Sequence, residues 1–237
     1  MVYGQVTITA DSSAPDSFNT DVKYTVARTG EASSRTGKAV VYTGYQWRGR
    51  GAVGTDSPWR EVMFIERGWN EMWGRWFTGP YDETGIDVKL ARLTNAPMVF
   101  GTSVSAVRTG GGNQPVKIFG ANLPASPKPE DIAFGQGVKV ARVVSATPDE
   151  VSVELEVAAN APVGARDLSF GGTAKPSAFV VYDKIDAIKV QPQAGMARVG
   201  GAVFPKQLQQ FEAIGVNFGP DGKPDTPDDL DLGIMCV

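Results

Sequence analysis

The stretch GWNEMWGRWFTG (residues 68–79) sets Trp69, Trp73 and Trp76 within eight positions of one another, close to Glu61, Glu66, Glu71, Asp82 and Glu83. Indole rings at that density could stack on nucleic-acid bases or on a flat cofactor. Two carboxylates facing one cleft could run glycoside hydrolysis. Base stacking wants cations around the rings, and here Arg67 and Arg75 are offset by Glu66, Glu71, Asp82 and Glu83. Read as a strand, the stretch puts Trp69, Glu71, Trp73, Arg75 and Phe77 on one face and Asn70, Met72, Gly74 and Trp76 on the other. Rings on both faces describe a strand that is buried on one side and covered, or in contact with a partner, on the other. Trp69, Trp73 and Trp76 are therefore expected as core or interface aromatics. The carboxylates are expected on exposed strand faces and in the hairpin loop PYDETG.

A second group lies in GPDGKPDTPDDLDLG, where Asp221, Asp225 and Asp229, with Asp228 and Asp231, offer oxygen ligands at close spacing. Calcium wants that chemistry, and Asp221, Asp225 and Asp229 are the candidate ligands. The spacing is not that of an EF-hand loop, because no closing Glu follows, and an acidic solvent turn accounts for the same residues. The run TGGGNQP lacks the Lys-Ser/Thr of a phosphate-binding loop and reads as a hairpin.

Residue types missing from the chain narrow the chemistry further. It has no histidine and a single cysteine, Cys236. A Ser-His-Asp triad, a histidine-ligated zinc and a C-x-x-C-H haem attachment cannot be assembled within it. A net charge of -3 gives no global attraction to nucleic acid. No apolar run reaches the ~20 residues that span a bilayer. The opening MVYGQVTITADSS has neither the basic nor the apolar region of a secretory signal.

Any site must be carried by strands. EVSVELEV places Val151, Val153, Leu155 and Val157 on one face and Ser152, Glu154 and Glu156 on the other. The same alternation runs through QVTITA, VKYTVAR, KAVVYTGYQW, REVMFIE, DVKLARL, VKIFGANL, VKVARVV, ARDLSF, AFVVYD and DAIKVQP. TGEASSRTG, GPYDETG, TGGGNQP, PASPKPED, GQG, TPDE and GGTAKPS read as turns between them. FPKQLQQFEAIG reads equally as a helical turn or as a strand. The fold class is all-β.

Composition places two seams. All five tryptophans lie before residue 97, and the strands from Met98 onward are valine-rich. The divisions expected are 1–97, 98–183 and 184–237. Short strands every 8–12 residues make 98–183 a β-sandwich. The last segment holds about four strands, too few for a two-sheet sandwich, so it is expected to be incomplete.

VKIFGANLPA followed by DIAFGQGVKVARVVSATPDEVSVELEVAANAPVGARDLSFGG resembles an immunoglobulin-like domain of the quinohemoprotein amine dehydrogenase α subunit. GRWFTGPYDETGIDVKL resembles the end of that subunit's barrel-like second domain. YDKIDAIKVQPQAGMARVGG, FPKQLQQFEAIG and NFGPDGKPDTPDDLDLG resemble its fourth. The resemblance implies a barrel-like antiparallel domain over 1–97 (domain II), an immunoglobulin-like sandwich over 98–183 (domain III) and the start of a second immunoglobulin-like domain over 184–237 (domain IV). It also implies a periplasmic complex that oxidises primary amines. There, haem c sits in a dihaem domain, a tryptophan-derived quinone in a small γ subunit, and a β-propeller subunit completes the assembly. None of those cofactor positions maps onto a residue here. The chain is thus expected to be a non-catalytic scaffold that binds no cofactor itself and whose partners are the dihaem domain, the β-propeller subunit and the quinone-bearing γ subunit. One rival is a secreted immunoglobulin-like module that recognises glycan or protein through the aromatic stretch. Another is a hydrolase using the first domain's carboxylates.

Overall fold

A computed structural model describes residues 1–55, 58–78 and 84–234. Seven strands form one antiparallel meander in chain order: β1 (Val2–Ala10), β2 (Ser17–Val26), β3 (Ala32–Tyr42), β4 (Gln46–Gly51), β5 (Trp59–Ile65), β6 (Glu71–Thr78) and β7 (Thr84–Ala91). The sheet curls into a half-barrel, and β1 and β7 remain as edges. Register fixes the inner face, because pairing runs Ala39↔Gly49↔Glu61↔Trp76↔Ile86 in one row and Gly37↔Gly51↔Trp59↔Thr78 in the next. Along β5 the alternation is explicit: Trp59, Glu61, Met63 and Ile65 are buried, while Arg60 and Phe64 are exposed. Period 2 puts these two sets on opposite faces, and the curl decides which face is covered.

Glycine makes the curl possible at two positions. A Cβ on Gly51 would stand 2.4 Å from the Trp59 ring, and one on Gly49 would stand 2.2 Å from Glu61 Oε2. The Trp59 indole and the Glu61 side chain therefore lie flat across β4, in space only glycine leaves.

Eight further strands make two sheets. β8 (Met98–Thr102), β10 (Gln114–Ala121), β12 (Val138–Ala146) and β13 (Glu150–Val157) pair in the order β12-β13-β10-β8. β9 (Ala106–Arg108), β11 (Ile132–Ala133), β14 (Gly164–Phe170) and β15 (Thr173–Tyr182) pair as β11-β14-β15-β9, with β9 and β15 parallel. Val116, Ile118, Val151, Val153 and Leu155 of the first sheet share one core with Leu168, Phe170, Phe179 and Val181 of the second. This is a β-sandwich, each sheet closing the apolar face of the other. Three more strands, β16 (Ala187–Gln191), β17 (Glu212–Asn217) and β18 (Leu230–Ile234), form a small antiparallel sheet. Among the described residues the only helical turn is a 3₁₀ turn at Pro129–Asp131, so the chain is all-β, barrel-like and then sandwich-like.

The sheets are joined by specific contacts. The Tyr3 ring of β1 stacks on Phe119 at 4.9 Å, and its hydroxyl lies 2.3 Å from where a Gly101 Cβ would be. Gln5 Nε2 donates to Asp149 Oδ1 at 2.9 Å. Burial pushes the Tyr3 phenol up from its ordinary pKa. On the other side, buried Asn217 donates to Asp183 Oδ1 at 2.8 Å and to the Lys184 carbonyl at 2.9 Å.

Three local expectations are corrected. TGEASSRTG is a turn only at its start, because residues from Ala32 onward pair with β2 along β3. GGTAKPS is likewise strand from Thr173; Pro176 is tolerated beside a register shift where Ser177 takes φ 48° and its N–H is capped by Asp167 Oδ1. KAVVYTGYQW is two strands, broken where Thr43 and Gly44 take positive φ. In the first two cases pairing with a neighbouring strand overrode local propensity, and in the third a tight turn interrupted the alternation.

Candidate functional site

The half-barrel interior holds the most unusual chemistry. Trp47 Nε1 donates to Glu61 Oε2 at 2.6 Å, and both residues are buried. The other carboxyl oxygen, Oε1, is buried without a hydrogen-bond partner among the described residues, as are Trp76 Nε1 and Thr20 Oγ1. Desolvation pushes the Glu61 carboxyl above the usual carboxylate range, and the Trp47 N–H pulls it back in part. Neighbouring rings close around this carboxyl, with Trp59 and Trp76 centroids at 6.4 Å and Phe18 and Trp47 at 5.6 Å. An acid in such a setting can donate a proton, but catalysis needs a second group opposite it.

Among the described residues the other candidate carboxylates are engaged elsewhere. Glu66 accepts the Gly68 N–H at 2.8 Å in the β5–β6 turn. Glu71 pairs with Lys89 at 3.0 Å. Asp82 and Glu83, in the PYDETG stretch, lie outside the described residues. Glu61 is thus a buried hydrogen-bond acceptor for Trp47, and its burial has a pH signature. A carboxyl raised by folding holds its proton more tightly in the folded state. Its stabilising effect is full below the ordinary glutamate pKa of about 4.3 and is lost as pH rises toward the folded value. Glu61→Gln keeps an acceptor for Trp47 and removes the titration. Urea midpoints between pH 4.5 and 8 should fall less steeply in the variant; equal slopes would show that Glu61 does not titrate on unfolding.

The three tryptophans separate. Trp76 faces inward and is half-buried. Trp73 faces outward, 42% exposed, in a row where Tyr45 and Phe64 lie 5.9 Å apart and Phe64 and Trp73 lie 5.1 Å apart. These rings lean on one another at 44°, so they pack together and leave no flat platform for a sugar or a base. Trp69 is not on the strand. It sits in the preceding turn with φ 57°, 48% exposed, and its carbonyl accepts two bonds from the Arg92 guanidinium at 3.1 and 3.0 Å.

The acidic stretch folds on itself. Asp221 accepts the Lys223 N–H at 2.8 Å, Asp228 accepts Thr226 Oγ1 at 2.8 Å, and Asp229 accepts the Asp225 N–H at 3.0 Å. Lys189 Nζ reaches Asp225 at 2.9 Å and Asp229 at 3.5 Å, which raises the Lys189 pKa. An ammonium thus stands beside two of the three candidate ligands. Among the described residues no group of three or more His, Cys, Asp or Glu is placed to hold a metal. Nothing in the sequence pattern pointed to Lys189, which is about 40 residues from Asp229 along the chain and meets it only through β16 pairing.

The open side of the half-barrel is a trough of about 1240 Å³, apolar along Val6, Phe18 and Val22 and rimmed by Gln5, Gln210 and Glu212. Residues of β8, β17 and β18 contribute to its walls. This sequence of curled sheet, sandwich and small sheet coincides with three family models. Residues 1–93 match domain II of the quinohemoprotein amine dehydrogenase α subunit, 98–183 match domain III, and 188–237 match domain IV. The chain belongs to this α-subunit family. No curated protein matches it. The domain II half-barrel carries all five tryptophans, and domains III and IV carry none.

The family's cofactors can be tested against these residues. A c-type haem needs C-x-x-C-H and an axial ligand, and a chain with no histidine and one cysteine offers no such motif. Three of the five tryptophans are held by packing or a hydrogen bond: Trp47 by Glu61, Trp59 by the Gly37–Gly51 floor, Trp73 by Phe64. The sequence therefore offers no covalent haem site, and no catalytic step is derived through either group.

Proposed function

We propose that the chain is the non-haem part of an amine dehydrogenase α subunit, a scaffold that braces a dihaem domain and presents surfaces to the β-propeller and quinone-bearing subunits of a periplasmic complex. The observation that carries this reading is the order and coverage of domains II, III and IV along the chain. The chemistry of the half-barrel supports it, since its buried carboxyl, Glu61, accepts from Trp47 while Glu66 and Glu71 are engaged elsewhere. A glycan-binding module is less well supported, because the outward rings are tilted into one another. In this reading haem c and the quinone are supplied by other polypeptide or other domains.

The purified chain, mixed with n-butylamine and phenazine methosulfate, is expected to show no turnover above buffer. Amine-dependent reduction of the acceptor by this chain alone would overturn the reading.

A further inference from the structure

Two buried hydrogen-bonding groups on the inner face of the half-barrel lack partners, and they stand side by side. Glu61 and Trp76 are directly opposite in the β5–β6 ladder, which sets their Cβ atoms about 5 Å apart on one face. Glu61 is 3% exposed, and its Oε2 is taken by the Trp47 N–H. Its Oε1 and the Trp76 Nε1 are buried with no hydrogen-bond partner among the described residues. Unpaired polar groups are costly in a low-dielectric interior, so this donor and acceptor call for a third group. Trp47 and Trp76, the two rings beside the carboxyl, both line the trough of about 1240 Å³. From there the apolar wall continues through Phe18, Val22, Ile65 and Leu90. Apolar walls with a few convergent polar groups are the form that small-molecule sites take.

The two groups select the head of the ligand. The Trp76 N–H only donates, so the head needs a lone pair. An alkylammonium has three donors and no acceptor, and it would leave the indole unpaired. A carboxylate would bring a second negative charge beside Glu61. A carboxamide fits, but its second N–H would face apolar walls. A hydroxyl carries one donor and two lone pairs. It accepts from Trp76 and donates to Oε1 when Glu61 is ionised, or accepts from both when Oε1 carries the proton. Desolvation pushes the Glu61 carboxyl up, and the hydroxyl suits either form.

We propose that the half-barrel trough binds an apolar molecule with a hydroxyl head. The hydroxyl is held between Trp76 Nε1 and Glu61 Oε1, and the hydrocarbon tail lies along Phe18, Val22, Ile65 and Leu90. Every residue of this site belongs to the chain itself, so the site does not depend on the scaffold reading above.

The test titrates the full chain with 1-decanol, followed by tryptophan fluorescence and calorimetry. Fluorescence reports on the site directly, because Trp47 and Trp76 line it. Saturable binding of one decanol per chain is expected. Decylamine and decanoate at neutral pH are expected to bind about tenfold more weakly, the effect of one buried hydrogen bond left unmade. W76F keeps a ring in the wall and deletes the donor. It is expected to weaken decanol binding about tenfold and to leave decylamine binding unchanged. W73F, on the outer face against Phe64, is the control and should bind decanol as the parent does.

The comparison of head groups uses the parent chain alone, so it decides the matter even where W76F is poorly folded. Absence of saturable decanol binding by the parent overturns the proposal. So does decylamine or decanoate binding as tightly as decanol, or parental decanol affinity in folded W76F.

Discussion

Phe134→Ala is expected to destabilise the sandwich by about 3–5 kcal/mol, the range for emptying a buried phenylalanine site. Phe134 is fully buried just after β11 and packs on Phe179 of β15 at 5.0 Å, with the rings tilted by 41°. Leu168, Leu155 and Ile118 are also fully buried in the same core. They belong to two sheets whose strands are pinned by ladders on either side, so the site cannot collapse to fill the gap. The loss is comparable to a large part of a domain's total stability. The tryptophans offer an internal control, since all five lie in the half-barrel. The far-UV transition in urea should move to lower concentration, while tryptophan fluorescence, which reports only the first sheet, moves less. Equal shifts of both signals would show that half-barrel and sandwich unfold as one unit. An unchanged far-UV midpoint would refute the packing argument.

Gly51→Val is expected to cost about 3 kcal/mol, toward the upper end for an overpacked core. The new Cβ would lie 2.4 Å from the Trp59 Cε2 and Cζ2 atoms, and the same ring already lies 2.7 Å from where a Gly37 Cβ would be. Trp59 is 5% exposed, so the ring cannot swing into solvent without emptying the half-barrel floor. Gly112→Ala is the matched control: nothing lies within 4 Å of its Cβ position and its φ is not in the left-handed region. It should stay within about 0.5 kcal/mol of the parent. A fluorescence red shift in Gly51→Val, absent in Gly112→Ala, would report exposure of the Trp59 indole. Parental stability in Gly51→Val would mean that Trp59 does not lie across β4.

Alternation in EVSVELEV placed Val151, Val153, Leu155 and Val157 on one face, and all four are buried. The same rule put Met72, Gly74 and Trp76 opposite Trp73, Arg75 and Phe77, as the β6 register has them. It could not say which of two alternating faces the curl would cover. Trp69 escaped it altogether, because a positive φ in the β5–β6 turn took that residue off the strand. The carboxylates were just as opaque. Glu61, Glu66 and Glu71 are alike in sequence, yet one is buried against Trp47, one caps a turn and one pairs with Lys89.

Residue types and local periodicity alone established the β class and ruled out a covalent haem site within this chain, since both follow from short-range geometry and from residues that are or are not there. Burial of Glu61 and rescue of the Asp225–Asp229 charge by Lys189 were decided by the folded chain. Each depends on which distant strand comes to lie alongside, and that is a property of the closed sheet rather than of any window of sequence.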